Sequence, residues 1–141
     1  MAQFDEQTEK RLLNDVLTLL VTHYGGGLSE DQLDEGLQAV QQAYEDARSS
    51  HLGQLRKSGE PYIFHPLRVT LLAARHWMDF PSIMAALLHD VVEDTPVTLK
   101  EVRKKYGEEV ALLVDGLTKV TASELKRDDL NRQDLKEATY K

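Results

Sequence analysis

Apolar residues recur along this chain at steps of three and four, the interval that places them on one face of an α-helix. Leu12, Leu13, Val16, Leu17, Leu20 and Val21 form such a stripe within residues 5–23, and the triplet Gly25-Gly26-Gly27 ends it. Ser29-Glu-Asp-Gln32 then reads as a capping box, with the serine hydroxyl and the glutamine amide satisfying free backbone N–H groups. Leu33, Leu37, Val40, Tyr44 and Ala47 follow at steps of four and three and predict a second amphipathic helix.

Residues 53–62, Gly-Gln-Leu-Arg-Lys-Ser-Gly-Glu-Pro-Tyr, hold two glycines and a proline and predict a structured loop. Pro66 suits the first turn of a third helix reaching about Met78. Pro81 suits the start of a fourth, which runs through Leu88 and His89 to about Glu93 and stops before Thr95-Pro96. Thr98-Leu-Lys-Glu101 is a second capping-box pattern, opening a helix to about Tyr106 that Gly107 can close. Residues 108–117 predict a short helix with Val110, Leu113, Val114 and Leu117 on one side. The polar stretch Thr121–Asn131 reads as a mobile loop, and Leu135 and Ala138 hint at a last helix. With no β alternation and no internal repeat, the expected fold is all-α, a compact multi-helix bundle.

One helix carries an anomaly. Leu87-Leu88-His89-Asp90-Val91-Val92-Glu93-Asp94 places an imidazole and a carboxylate in a segment that is otherwise strongly apolar. An unpaired buried carboxylate is costly, and a divalent cation compensates it well. Adjacent helical residues differ by about 100° in direction, so His89 and Asp90 can converge on one ion. Glu93 and Asp94 lie one turn further on, beneath the His89 and Asp90 stripes. They fit either an acidic extension of that cluster or a solvated helix end. His65, before Pro66, fits either a ligand or a loop histidine. His23 suits a helix C-terminus, and His51 and His76 read as surface or packing residues.

Composition narrows the function classes. The chain has 141 residues, enough for one domain with its own core, with 41% hydrophobic and 29% charged residues. It has no cysteine, which excludes disulfides and thiolate metal sites. The formal net charge of −7 argues against general nucleic-acid binding. Residues 54–75 run the other way, with Arg56, Lys57, Arg68 and Arg75 against Glu60. That basic stretch fits a small anionic ligand or a solvated helix face. The first residues show no secretory signal pattern, and the longest apolar run, Ile83 to Leu88, is too short to span a bilayer. A cytoplasmic location is expected.

Three blocks together resemble the hydrolase domain of the RelA/SpoT family, within the HD phosphohydrolase superfamily. They are Gly53-Gln-Leu-Arg-Lys-Ser-Gly-Glu-Pro-Tyr-Ile-Phe-His-Pro-Leu-Arg-Val69, Ala86-Leu-Leu-His-Asp-Val-Val-Glu-Asp-Thr95 and Tyr106-Gly-Glu-Glu-Val-Ala-Leu-Leu-Val-Asp-Gly-Leu-Thr-Lys119. Their order and joint presence over residues 51–119 go well beyond the His-Asp dipeptide shared by the superfamily.

The resemblance implies an HD-type bundle that removes the 3′-pyrophosphate of guanosine-3′,5′-bis(diphosphate) and its pentaphosphate relative in stringent-response control. It implies His65, His89 and Asp90 as ligands of a catalytic metal, usually Mn2+. It implies Glu93 and Asp94 as the acidic pair that positions or activates water. Arg56 matches a residue packing on the guanine base, with Lys57 and Ser58 as its neighbours in the pocket. Imidazole with oxygen ligands suits manganese, and a guanidinium offers a flat face for stacking. The implied partner is a guanine nucleotide alarmone, with neither nucleic acid nor membrane engaged by this segment. In the family such domains stand alone or precede synthetase and regulatory domains.

One element of the family pattern is missing. Members take a fourth ligand, an aspartate, from a later helix, and Asp115, Asp128, Asp129 and Asp134 do not match it. Residues 1–141 are therefore expected to be the N-terminal part of the domain, with weak metal binding and poor turnover on their own. A nucleotide-binding or regulatory module without turnover is the alternative reading. A different nucleotide as substrate fits the Arg-Lys-Ser-Gly-Glu-Pro block less well.

Overall fold

In the computed structural model, residues 5–118 are described. Five helices are bounded within them: α1 (Glu6–Tyr24), α2 (Glu30–Ser50), α3 (Phe64–Arg75), α4 (Phe80–Asp94) and α5 (Leu99–Tyr106). Residues 108–118 are also helical. The all-α expectation holds. The expected 121–131 loop and the helix at Leu135 and Ala138 lie outside the described residues.

The helix starts follow the capping chemistry. Asp5 accepts from the Thr8 N–H, and Ser29 and Gln32 form the reciprocal box at the head of α2. Asp79 caps α4, with Pro81 in its first turn. At α5 the Thr98 hydroxyl oxygen accepts from the Glu101 N–H, but the Glu101 carboxylate takes the Thr98 hydroxyl hydrogen instead of reaching back to the backbone, so only half of the expected box forms.

The third helix differs at both ends from its expected range. It begins at Phe64, two residues before Pro66, because a proline N–H is dispensable anywhere in the first turn. It ends at Arg75 because Trp77 takes a φ of 61°. The Trp77 and Met78 N–H groups turn back to the carbonyls of Ala74 and Ala73, the paired bonds of a Schellman stop. A stacked His23 ring, 4.9 Å away, covers the indole. His23, read from sequence as a helix-end residue, does lie in the last turn of α1, where it packs on this turn.

Helices α1 to α4 frame one core, to which Val102 of α5 and Val110 and Val114 of 108–118 also contribute. α4 packs on α2 and α3, and α1 packs on α3 and α2. Ile83, Met84, Ala85, Ala86, Leu87, Leu88 and Val91 are all buried, so α4 is apolar around most of its circumference. Close approach of α2 to the start of α4 requires Gly36, where an added Cβ would lie 2.7 Å from the Phe80 ring. Val16 and Leu20 bury the α1 stripe, whereas Val21 at its edge remains 44% exposed. On 108–118, Val110, Ala111 and Val114 are buried while Leu113 and Leu117 are exposed, so the buried stripe is narrower than expected.

Two polar networks tie the helices across this core. Buried Glu9 on α1 receives the Tyr44 hydroxyl and, at 2.8 Å, the Arg48 Nε–H from α2. Asp46 on α2 receives the Tyr106 hydroxyl of α5, the Lys105 ammonium at 2.7 Å and the Gln42 amide at 3.1 Å.

Candidate active site

The chemistry gathers where α3 begins and α4 ends. His65 occupies the first turn of α3, and His89 and Asp90 the second half of α4. One ligand atom from each lies within 4.8 Å of the others. His65 Nε2 is 3.6 Å from Asp90 Oδ2, and His89 Nε2 is 3.1 Å from Asp90 Oδ1. The three side chains singled out in the sequence thus face one point.

Hydrogen bonding shows what that point lacks. His89 Nδ1 is 2.8 Å from the Ala86 carbonyl oxygen, which can only accept. Nδ1 must therefore carry the hydrogen, and in the neutral ring the Nε2 lone pair faces the lone pairs of Asp90. Two acceptors at that distance repel unless a proton or a cation lies between them. Asp90 Oδ2 is itself buried and accepts no hydrogen bond from the described residues. Two imidazoles and a carboxylate with an unsatisfied oxygen are a donor set that fits a divalent metal ion.

The titration behaviour agrees. Burial opposes charge on His89, but the hydrogen bond and charge of Asp90 outweigh it and raise its pKa above the ordinary imidazole value. Burial pushes the pKa of His65 down, against the pull of Asp90. Burial would raise Asp90, yet the His89 bond and the nearby imidazoles hold it below the usual carboxylate range. A proton bridging His89 Nε2 and Asp90 would occupy the position that a metal takes in exchange.

Glu93 and Asp94 are exposed in the last turn of α4. Partial burial, and then the charges of Asp94 and Asp90, push the Glu93 pKa up. Asp94 Oδ2 receives the Tyr62 hydroxyl at 2.5 Å.

Arg56, Lys57 and Ser58 sit on the tip of the 53–62 loop. The Arg56 N–H donates to the Glu60 carbonyl and the Gly59 N–H to the Arg56 carbonyl, each at 2.8 Å, which closes a tight turn. Gly59 meets the turn's φ of 87°, a value that disfavours any residue with a Cβ. Buried Glu60 is paired with the Arg68 guanidinium, fastening the turn to α3. All three tip side chains are exposed and, with Leu55 and Tyr62, line an open cleft of about 660 Å³. Glu93 does not line that cleft, and Asp94 meets it through Tyr62.

From sequence, Gln54 and Tyr62 carry no expected role, and His51 is expected at the surface or in packing. His51 is buried, stacked on Tyr62 at 4.5 Å, with Nδ1 2.9 Å from Gln54 Oε1. Only the position of Gln54 and Tyr62 at the two ends of the loop could have pointed to them, and neither residue type demands burial or a ligand.

Comparison with known proteins places this arrangement. The sequence pattern of the HD domain family matches residues 43–140. A guanosine-3′,5′-bis(diphosphate) 3′-pyrophosphohydrolase of Aquifex aeolicus is 45% identical over 108 residues, 77% of this chain and 14% of that protein. The bifunctional (p)ppGpp synthase/hydrolase SpoT of Escherichia coli is 45% identical over 111 residues, 79% of this chain and 14% of that protein. A GTP pyrophosphokinase of Streptomyces coelicolor is 51% identical over 84 residues, 60% of this chain and 10% of that protein. The chain thus spans about one seventh of the length of the first two.

Proposed function

This chain belongs to the HD domain family, and we propose that its residues form the N-terminal part of a manganese-dependent hydrolase. The proposed reaction releases the 3′-pyrophosphate of guanosine-3′,5′-bis(diphosphate) or its pentaphosphate relative, giving GDP or GTP, in the cytoplasm during stringent-response control. The observation that carries the reading is the polarity of the His89 ring. Its Nδ1–H is fixed on the Ala86 carbonyl, leaving Nε2 beside His65 and the unsatisfied oxygen of Asp90. The names of the relatives supply the substrate.

His65, His89 and Asp90 would hold the ion, which when bound would supply Lewis-acid stabilisation of phosphate charge. Arg56 stacks on the guanine base, while Lys57 and Ser58 contact the nucleotide from the same turn. Glu93, its pKa raised by burial and its acidic neighbours, is suited to move a proton at the reacting phosphate. Asp94 orients the water beside it. The fourth family ligand is expected from residues beyond this chain, with a synthetase domain in longer relatives of the SpoT type.

The test is pyrophosphate release from the alarmone with Mn2+, using residues 1–141 and a longer chain that includes the next helices. Hydrolysis by the longer form and weak turnover by 1–141 are expected. Arg56→Ala should raise the nucleotide KM about 10-fold, the loss of one stacked or charge-assisted contact, with Mn2+ affinity unchanged. Nucleotide binding without hydrolysis in the longer form would favour a regulatory module.

A further inference from the structure

We propose that Tyr62 and Gln54 are positioning residues that lock the Asp94 carboxylate to the substrate loop, so that the nucleotide cleft and the acidic end of α4 move as one body. The proposal rests on the hydrolase reading above and adds a role that its metal ligands and loop-tip contacts do not contain.

The geometry is a closed ring of contacts. The Tyr62 hydroxyl donates to Asp94 Oδ2 at 2.5 Å. The Gln54 amide donates to the backbone carbonyl of the same Asp94 at 3.0 Å. These two residues bracket the loop, and the Tyr62 N–H donates to the Gln54 carbonyl at 3.0 Å, which closes its base. Buried His51 completes the ring, stacked on the Tyr62 face at 4.5 Å while its Nδ1 meets Gln54 Oε1 at 2.9 Å. Both the side chain and the main chain of Asp94 are thus held from the two ends of the loop that bears Arg56, Lys57 and Ser58.

That arrangement solves a physical problem. Asp94 is exposed in the last turn of α4, and a carboxylate there samples several rotamers and frays with the helix end. One oxygen held by a phenol fixes the rotamer, while the other oxygen takes no hydrogen bond from the described residues. The carbonyl bond from Gln54 occupies a C-terminal acceptor that the helix cannot satisfy itself. Because the same two residues set the loop's base, a nucleotide seated on the loop tip is held in register with Asp94.

The deciding experiment is a double-mutant cycle of Tyr62→Phe and Asp94→Ala in the Mn2+-loaded longer chain, with the ring stack on His51 retained in the phenylalanine variant. Tyr62→Phe should lower kcat about 10-fold, the equivalent of one charge-assisted hydrogen bond, with nucleotide KM and Mn2+ affinity unchanged. On the Asp94→Ala background the same change should have no further effect on kcat. The melting-temperature losses of the two single variants should likewise fail to add in the double variant. Gln54→Met should reproduce the kcat loss in part. Additive effects in both kcat and melting temperature would overturn the proposal, as would a Tyr62→Phe variant that turns over like wild type. A wild-type protein that releases no pyrophosphate would overturn the hydrolase reading, and the melting-temperature cycle would still decide whether the clamp exists.

Discussion

Asp46 on α2 and Asp90 on α4 are the same side chain placed in the same helical bundle, and they are answered in opposite ways. Asp46 collects three donors, the Tyr106 hydroxyl, the Lys105 ammonium and the Gln42 amide. Asp90 faces two imidazoles, and one of its oxygens is buried without a hydrogen bond among the described residues. Both carboxyls are held below the usual carboxylate range, against burial that would raise them. A shifted pKa therefore does not separate a structural carboxylate from a functional one. The count of satisfied lone pairs does, because a network that closes on itself needs no visitor, whereas an open one has a valence to offer.

The comparison breaks most sharply at Asp90. Asp90→Asn keeps the shape but removes the charge that offsets a divalent ion. In an active longer chain, turnover should fall roughly 1000-fold, the several kcal/mol that a bound ion contributes. A readout independent of activity is thermal melting. At about 100-fold excess over its Kd, Mn2+ should stabilise the wild type by about 2.7 kcal/mol, and that increment should vanish in Asp90→Asn. A variant that keeps the Mn2+ increment would show that the cluster is another closed network.

The paired side can be tested at Glu9, whose Oε2 receives both the Tyr44 hydroxyl and the Arg48 Nε–H. Glu9→Ala strands a phenol that is buried and whose pKa is already pushed up by burial and by Glu9 itself. The expected cost is about 2 kcal/mol of unfolding free energy, from a buried donor left without its acceptor. Urea titration measures it, and the Mn2+ increment in melting temperature should remain that of the wild type. Loss of that increment would mean that the α1–α2 tie and the metal cluster are one system.

How far these differences could be read from sequence depends on what each residue type demands. His89 and Asp90 stood out because Ala85-Ala86-Leu87-Leu88 and Val91-Val92 surround them, and a polar pair in an apolar helix needs a partner. The caps at Ser29 and Thr98 were legible because a cap is local, although only the structure shows that Glu101 leaves its half of the box unmade. Glu9 was not legible, since its burial comes from α2 and depends on Tyr44 and Arg48, 35 and 39 residues away. The 53–62 turn announced itself through Gly59 and Pro61, but the grip of Gln54 and Tyr62 on Asp94 spans 40 and 32 residues and leaves no periodic trace. α3 stops at Arg75, short of the expected Met78, because Trp77 adopts a conformation normally left to glycine.

The finest distinction between the two aspartates lies in acid. The Asp46 pKa in the folded protein is below its ordinary 3.8, so the folded state releases this proton more readily than the unfolded chain. Its contribution to stability is therefore fully present above pH 3.8 and is lost as pH falls through the folded value. Asp46→Asn removes the contribution at every pH. The stability gap between wild type and variant should be under about 1 kcal/mol at neutral pH, because Lys105 is half exposed and its charge is screened, and it should close below pH 3.8. Asp90 shares the acid direction, but protonating it would also release the ion proposed there, so its acid sensitivity should depend on added Mn2+. The Asp46 gap should not. Urea titrations across this acid range, with and without Mn2+, separate the two. A gap at Asp46 that persists in acid would show that its hydrogen bonds and not its charge carry the contribution. A gap that changes with Mn2+ would couple the closed network to the open one.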